Sequence, residues 1–189
     1  MIAASRVILG GGVVVYPTET VYGLGANALD EQAVLRVFQI KKRPMSMPIT
    51  LAVSSLEMMK EVAEVNDADL AILEQLLPGP VTVLVKRKSI VPDVLTAGSQ
   101  KVGVRFPDHE TALRIIDEAG PITSTSANRT GSSPPASIEA VSKEIIKRVD
   151  LVVDGGKCRY AEPSTLLDLE NKKVLREGAA LEKVLKVIR

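Results

Sequence analysis

Short aliphatic runs alternate along the chain with stretches in which apolar residues recur every three or four positions. VVVY (13–16), ITLAV (49–53), VTVLV (81–85) and KVGVRF (101–106) read as strands, being brief and rich in β-branched side chains. PITSTS (121–126) begins as a strand and turns polar. DLVVDGG (150–156) and STLLDL (164–169) add two more, and 173–176 makes a further short one. Helical spacing predicts a helix over 30–40, with Val34, Val37 and Phe38 on one face and Asp30 placed to cap it. A second runs over 68–77, aligns Leu70, Leu73 and Leu77, and is stopped by Pro-Gly-Pro at 78–80. A third over 110–120 ends at Gly120. A fourth over 137–149 has Ile138, Val141 and Ile145 on one face and Ser137 as its cap, and a last one covers 180–188.

Strands and helices interleave, yet several connections are too short for a crossover helix. The expected fold is therefore α/β with a mixed, twisted open sheet flanked by helices. No internal repeat, low-complexity tract or interdomain linker interrupts the pattern, so residues 1–189 are expected to form a single domain. The richest loop is SANRTGSSPPAS (126–137), long enough to suggest function.

Composition narrows the classes. Hydrophobic residues make up 46% and charged residues 25%, the balance of a soluble globular protein; aromatics are only 3%, so the core must be aliphatic. The net charge of +1 excludes a polycation, and any anion binding must come from local clusters. The one cysteine, Cys158, rules out an internal disulfide and fits a reducing compartment; with a single histidine it leaves too few ligands for a Cys/His zinc site. No signal-peptide pattern opens the chain and no apolar run is long enough to span a membrane, so a cytoplasmic location with no membrane partner is expected.

Five segments combine polar and turn-forming residues. In YPTETVYGLGAN (16–27) a strand end is followed by hydroxyls and two glycines; the same pattern also suits an ordinary hairpin or bulge, and neither common nucleotide fingerprint is present. In KKRPMSMPIT (41–50), Lys41 and Arg43 would share one side of an extended backbone, suiting a polyphosphate, while Lys42 would face solvent on the other. The same cations also suit the last turn of a helix, where they complement its dipole. KVGVRFPDHE (101–110) places Arg105 at a strand end, where it can fork onto a carboxylate; His109 reads as a helix-start or surface residue rather than a general base. TSTSANRTGSS (123–133) alternates Ser124, Ser126 and Asn128 on one face, without the GxSxG elbow or a nearby histidine of a serine nucleophile. AEPSTLLDLENKKVLREGA (161–179) holds Ser164 and Arg176 on a probable hairpin.

Taken in order, YPTETVYGLGAN, KKRP with MPI, LLPGPVTVLV, VGVRFPDH, PITSTSAN with a following Gly, DGG, PSTLLD and LREGA resemble the YrdC-type threonylcarbamoyl-AMP synthases, from about residue 5 to residue 179. The resemblance implies a twisted α/β sheet around a large concave, positively charged surface, in the short form without an additional C-terminal domain. It implies condensation of L-threonine, bicarbonate or CO2 and ATP to threonylcarbamoyl-AMP and pyrophosphate. That product feeds t6A37 modification of tRNA through a downstream transfer machinery. ATP would be a substrate, with Mg2+ held mainly through its phosphates and no protein metal ligands. Carried onto this chain, Lys41 and Arg43 would hold the triphosphate and act catalytically, and Thr18, Arg105, Ser126 and Ser164 would contact threonine. Asn128 and Arg176 would contact ATP. The run GSSPPAS departs from the family pattern, since Ala136 stands where a nucleotide-contacting threonine usually falls; either Ser133 or Ser137 substitutes, or the contact is missing. The rival reading, a tRNA or double-stranded-RNA-binding module using the same basic surface, sits poorly with the low net charge and few aromatics.

Overall fold

The computed structural model describes residues 2–189. Nine strands pair into one sheet: β1 (Val14–Tyr16), β2 (Gly23–Gly25), β3 (Thr50–Ala52), β4 (Val81–Lys86), β5 (Lys101–Arg105), β6 (Ile122–Ser126), β7 (Leu151–Val152), β8 (Thr165–Asp168) and β9 (Lys173–Arg176), in the order β7-β1-β2-β6-β3-β5-β4-β8-β9. The sheet is mixed, as short connections require. β1/β7, β3/β5 and β4/β8 run parallel, and the other neighbours run antiparallel. The helices are α1 (Ala3–Leu9), α2 (Glu31–Lys41), α3 (Leu56–Val62), α4 (Asp67–Leu76), α5 (Asp93–Thr96), α6 (Glu110–Ala119), α7 (Lys143–Ile146) and α8 (Leu181–Val187).

Strand residues alternate between the two faces of a sheet. On one face Val15, Leu51, Val83, Val104 and Leu167 build the main core beneath α2, α3, α4 and α8. On the other face Val14, Tyr16, Ala52 and Ile122 pack under α1 and α6 in a smaller cluster. Those two helices cover only part of that face. Beyond them the residues facing the same way turn polar: Thr50 next to Ala52 along β3, Thr82 across from Arg105, and Ser124 across from Thr50. The uncovered, polar part of this second face is the floor of the site.

Two glycine positions are explained by close approach. The Tyr16 ring lies across β2, where an added Cβ on Gly23 would sit 2.9 Å from Tyr16 Cε1. On the floor, a Cβ at Gly103 would sit 2.4 Å from Thr50 Cγ2. Three-residue β2, two of whose residues are glycine, has little strand propensity of its own, and α1, α3 and α5 are too short to show a clear period. None of these four was anticipated from the sequence. Asp30 caps α2 as expected, accepting from the Gln32 and Ala33 amides.

The helix expected over 137–149 is a correction. It is a 3-10 turn (Ile138–Ala140), an extended Val141, and then α7. Ser142 accepts from the Ile145 amide and starts a new helix inside the periodic stretch, whereas Ser137 makes no capping bond. Val141 and Ile145 still reach the core, so the apolar spacing was real while the continuous helix was not. The strand at 150–156 is likewise shorter, only Leu151–Val152, because Asp154, Gly155 and Gly156 form a loop tied to the Tyr22 hydroxyl.

Candidate active site

The floor and the loops above it enclose a cavity of about 210 Å3. Thr18, Arg43, Arg105, Ser126, Ser164 and Arg176, six residues singled out in the sequence, all line it. They come from five separated segments. Thr18 sits in a tight turn after β1, where its Oγ1 donates to the Val21 carbonyl at 2.7 Å and accepts from the Thr20 and Val21 amides. Arg43 enters from the loop after α2, where its Nε and Nη2 donate to the carbonyls of Met47 (3.0 Å) and Pro48 (2.9 Å). Arg105 ends β5, Ser126 ends β6, and Arg176 ends β9 and folds back onto Ser164, donating to its carbonyl at 2.8 Å and its Oγ at 3.1 Å. Burial pulls Arg43 and Arg176 below the ordinary arginine range, and Arg105 adds to the effect on Arg176. An anion entering the cavity relieves both effects.

Lys41 and Asn128 stand beside the cavity and are joined to each other. Lys41 is the last residue of α2, and only 1% of it is exposed. Its Nζ donates to the Ser126 carbonyl, to the Asn128 carbonyl at 2.8 Å and to Asn128 Oδ1 at 3.4 Å. Three acceptors match the three donors of an ammonium. Burial first, and the Arg43 charge second, push its pKa down to about 7. Asn128 Nδ2 in turn donates to the carbonyls of Arg129 and Ser132, bracing the loop beyond β6. Thr130 donates to the Lys41 carbonyl and Tyr22 to that of Pro135, so the 126–137 loop is tied both within its exposed stretch, 129–133, and beyond it.

Lys41 and Arg43 do not meet by simple alternation on an extended strand. Lys42 between them takes a left-handed conformation (φ 50°), capping α2 and turning the chain. Lys42 is exposed, as expected, and its Nζ pairs at the surface with Glu144 at 2.9 Å. At the departure from the family pattern, Ala136 packs against the core and its carbonyl accepts from the Cys158 amide. Pro134 lines the cavity from this loop, while Ser133 and Ser137 do not.

Sequence reasoning put Ser124 on one face with Ser126, and both line the cavity, but it missed Thr50 and Thr82 as floor residues, and Glu19 and Thr20 as the support of Arg105. Thr82 Oγ1 and Ser164 Oγ lie 2.7 Å apart, linking β4 to the PST segment. The available signal was a lone threonine inside an aliphatic strand, in ITLAV and again in VTVLV. Arg105 Nη2 approaches Glu19 Oε2 at 3.0 Å and donates to the Thr20 hydroxyl, with Thr18 Oγ1 at 3.5 Å.

Two other hollows flank this site. One of about 190 Å3 lies on the far side of the Thr18-Glu19 turn, lined by Glu19, His109 and Cys158. His109 begins α6 with Nδ1 buried and unpartnered; burial lowers its pKa and Glu19 opposes the shift. A larger cleft of about 770 Å3 runs past Lys60, Glu64, Lys86 and Lys101. Part of its charge is paired, Lys86 with Glu64 at 2.8 Å and Lys101 with Glu170 at 2.6 Å. Among the described residues no group of three or more His, Cys, Asp and Glu could hold a metal ion, and no helix is long and apolar enough to cross a membrane.

Comparison with known proteins matches this architecture. The family model described as telomere recombination, covering the Sua5, YciO and YrdC proteins, matches residues 6–178. A Methanocaldococcus jannaschii protein, provisionally named a threonylcarbamoyl-AMP synthase, is 39% identical over 90% of this chain and 82% of its own length. The threonylcarbamoyl-AMP synthase of Cellvibrio japonicus is 33% identical over 92% of this chain and 93% of its own length. The solved structure of Pyrococcus abyssi Sua5 complexed with L-threonine is similar at a TM-score of 0.93 and 39% identity. That match covers 98% of this chain but 56% of the Pyrococcus chain, so the present sequence spans little more than half of that protein.

Proposed function

This chain belongs to the Sua5/YciO/YrdC family, and from that premise we propose that it is an L-threonylcarbamoyladenylate synthase, a nucleotidyltransferase acting as one unit over residues 1–189. The observation that carries the reading is the small polar cavity in which three arginines converge over a floor of hydroxyls, with no nucleophile poised among them. Guanidinium forks and hydroxyls suit carboxylate and phosphate together.

In this reading the threonine carboxylate pairs with Arg105, and Thr18, Ser126 and Ser164 hold the remaining polar atoms of the amino acid. Arg43 and Lys41 hold the triphosphate, and Arg176 and Asn128 serve the nucleotide. The threonine amine adds to CO2, or to bicarbonate with loss of water, giving a carbamate. A carbamate oxygen then attacks the α-phosphorus of ATP, the bond to the bridging oxygen breaks, and pyrophosphate leaves. The carbamate is already an anionic nucleophile, so the protein's task is to align it with the phosphorus and to stabilise charge on the departing pyrophosphate. Lys41 orders the 126–128 segment and lends its charge from one layer behind the cavity; reaching a phosphate requires giving up one of its three carbonyl or amide bonds. Among the described residues no carboxylate lines the cavity, and Glu19 beside it is turned to Arg105. The residues therefore do not form a resident metal site, and Mg2+ in this reading arrives on the triphosphate as part of the substrate. Closure of the exposed stretch 129–133 would keep water from the carbamate. The product would pass to a threonylcarbamoyl-transfer machinery for t6A37 modification of tRNA, with any direct tRNA contact weak.

The test is pyrophosphate release from the purified protein with ATP, threonine and bicarbonate, omitting each in turn, alongside Lys41→Ala and Arg43→Ala. Release is expected only with all three present and to be lost in both variants. Release that ignores threonine or bicarbonate would overturn the reaction, and wild-type turnover in both variants would overturn the triphosphate role.

A further inference from the structure

The proposed reaction brings two anions into one cavity, an amino-acid carboxylate and a polyphosphate, and something must keep each in its own place. The three arginines are not equivalent in this respect. Arg43 donates only to the carbonyls of Met47 and Pro48, and Arg176 only to Ser164. Among the described residues neither has a carboxylate within ion-pair distance, whereas Arg105 has Glu19 at 3.0 Å.

Glu19 is an expensive residue to place there. It is 1% exposed, and neither of its oxygens receives an aligned hydrogen bond. The other arginine at that turn, Arg159, is taken by Asp108 at 3.0 Å. A buried ion pair so poorly supplied with hydrogen bonds is no better for stability than apolar residues of similar volume. Its consequence is electrostatic and geometric instead. Glu19, Thr20 and Thr18 all engage Nη2 of Arg105, Nε is buried without a partner, and Nη1 has no hydrogen bond among the described residues. The guanidinium is thus held in one orientation with much of its charge already offset.

Resting on the functional reading above, we propose that Glu19 is a positioning and specificity residue that sorts the two anions. It part-neutralises Arg105 so that this side of the cavity takes a single carboxylate, and leaves polyphosphate to the unneutralised Arg43. The physical reason is that attraction to Arg105 scales with ligand charge. Removing the Glu19 charge gains a pyrophosphate several times more than it gains the carboxylate of zwitterionic threonine, whose ammonium loses attraction at the same time.

The experiment is calorimetric titration of threonine into the wild-type protein and into Glu19→Gln, Glu19→Met and Glu19→Asp, with and without inorganic pyrophosphate and without ATP. In wild type and Glu19→Asp, pyrophosphate is expected to change the threonine dissociation constant less than about twofold. In the two charge-free variants it should compete, raising that constant roughly tenfold when present at about ten times its own dissociation constant. A lost packing contact would not create competition between two ligands. Equal pyrophosphate sensitivity in wild type and both charge-free variants, with threonine bound by all, overturns this proposal alone. Wild-type protein that binds no threonine overturns the functional reading, and this proposal with it.

Discussion

Replacing Arg105 by alanine removes the only cation among the described residues within ion-pair distance of Glu19, which is 1% exposed. Both side chains of the pair are almost fully enclosed, at 7% and 1%, so solvent does little to screen the loss. Breaking a buried pair by deleting one partner costs about 3–5 kcal/mol, because the survivor is left charged in a poorly solvating place. For a chain of this length that corresponds to a fall in Tm of roughly 6–20 °C. The double substitution Arg105→Ala with Glu19→Gln removes the stranded charge and should recover most of the loss. Urea denaturation of the three proteins measures this. An Arg105→Ala deficit below about 1 kcal/mol, or a double variant no better than the single one, would refute the reasoning.

Lys41 supplies a pH dependence. Its folded pKa is lowered from 10.5 to about 7, so its charge is a burden on the folded state below about 7, relieved as pH rises from there towards 10.5. Urea midpoints should rise over that window in the wild type, and a Lys41→Met variant should lack this component; identical slopes would refute it. Gly103→Ala puts a Cβ 2.4 Å from Thr50 Cγ2 and should cost about 1–3 kcal/mol by overpacking. Adding Thr50→Ser, which deletes that methyl, should restore most of the loss in thermal melts, and a double variant as unstable as Gly103→Ala would show that the clash is not the cause.

A net charge of +1 does not prevent three arginines from gathering at one cavity. Several cations elsewhere are paired with carboxylates. Lys42 pairs with Glu144, Lys86 with Glu64, Lys101 with Asp168 and Arg159 with Asp108. In the cavity, Arg43 and Arg176 are bound only by neutral oxygens. Local pairing, more than total charge, decides where an anion is attracted.

Much of the fold was legible in advance because its signals are local. The alternation in VTVLV, the one-sided spacing of Val34, Val37 and Phe38, and the stop at Pro78-Gly79-Pro80 depend on neighbours within a few residues, and strands and helices stand close to where those patterns lie. The stretch 137–149 failed for the complementary reason. Its apolar spacing suits a helix, but Ser142 offered the backbone a second cap, and packing of Val141 and Ile145 against the core satisfied the pattern without a continuous helix. β2 was invisible because a Gly-Leu-Gly strand is made by its place between β1 and β6 and by the Tyr16 ring lying across it.

By itself the sequence determined the order of the longer elements, the mixed sheet, the aliphatic core, and the identity of many of the polar residues gathered at strand ends. Only the tertiary structure decided which of them meet. Thr18, Arg43, Arg105, Ser126, Ser164 and Arg176 converge because β3, β4, β5, β6 and β8 are neighbours in the sheet while far apart in the chain. It also decided the electrostatic character of each cation. Lys41 and Arg43 are near-equivalent as sequence, yet one is buried against carbonyls and the other faces the cavity. Arg105 differs from both through Glu19, a residue that reads as one more surface carboxylate until folding removes it from water. Charge is written in the chain; desolvation and pairing, which set what that charge can do, exist only once the chain has folded.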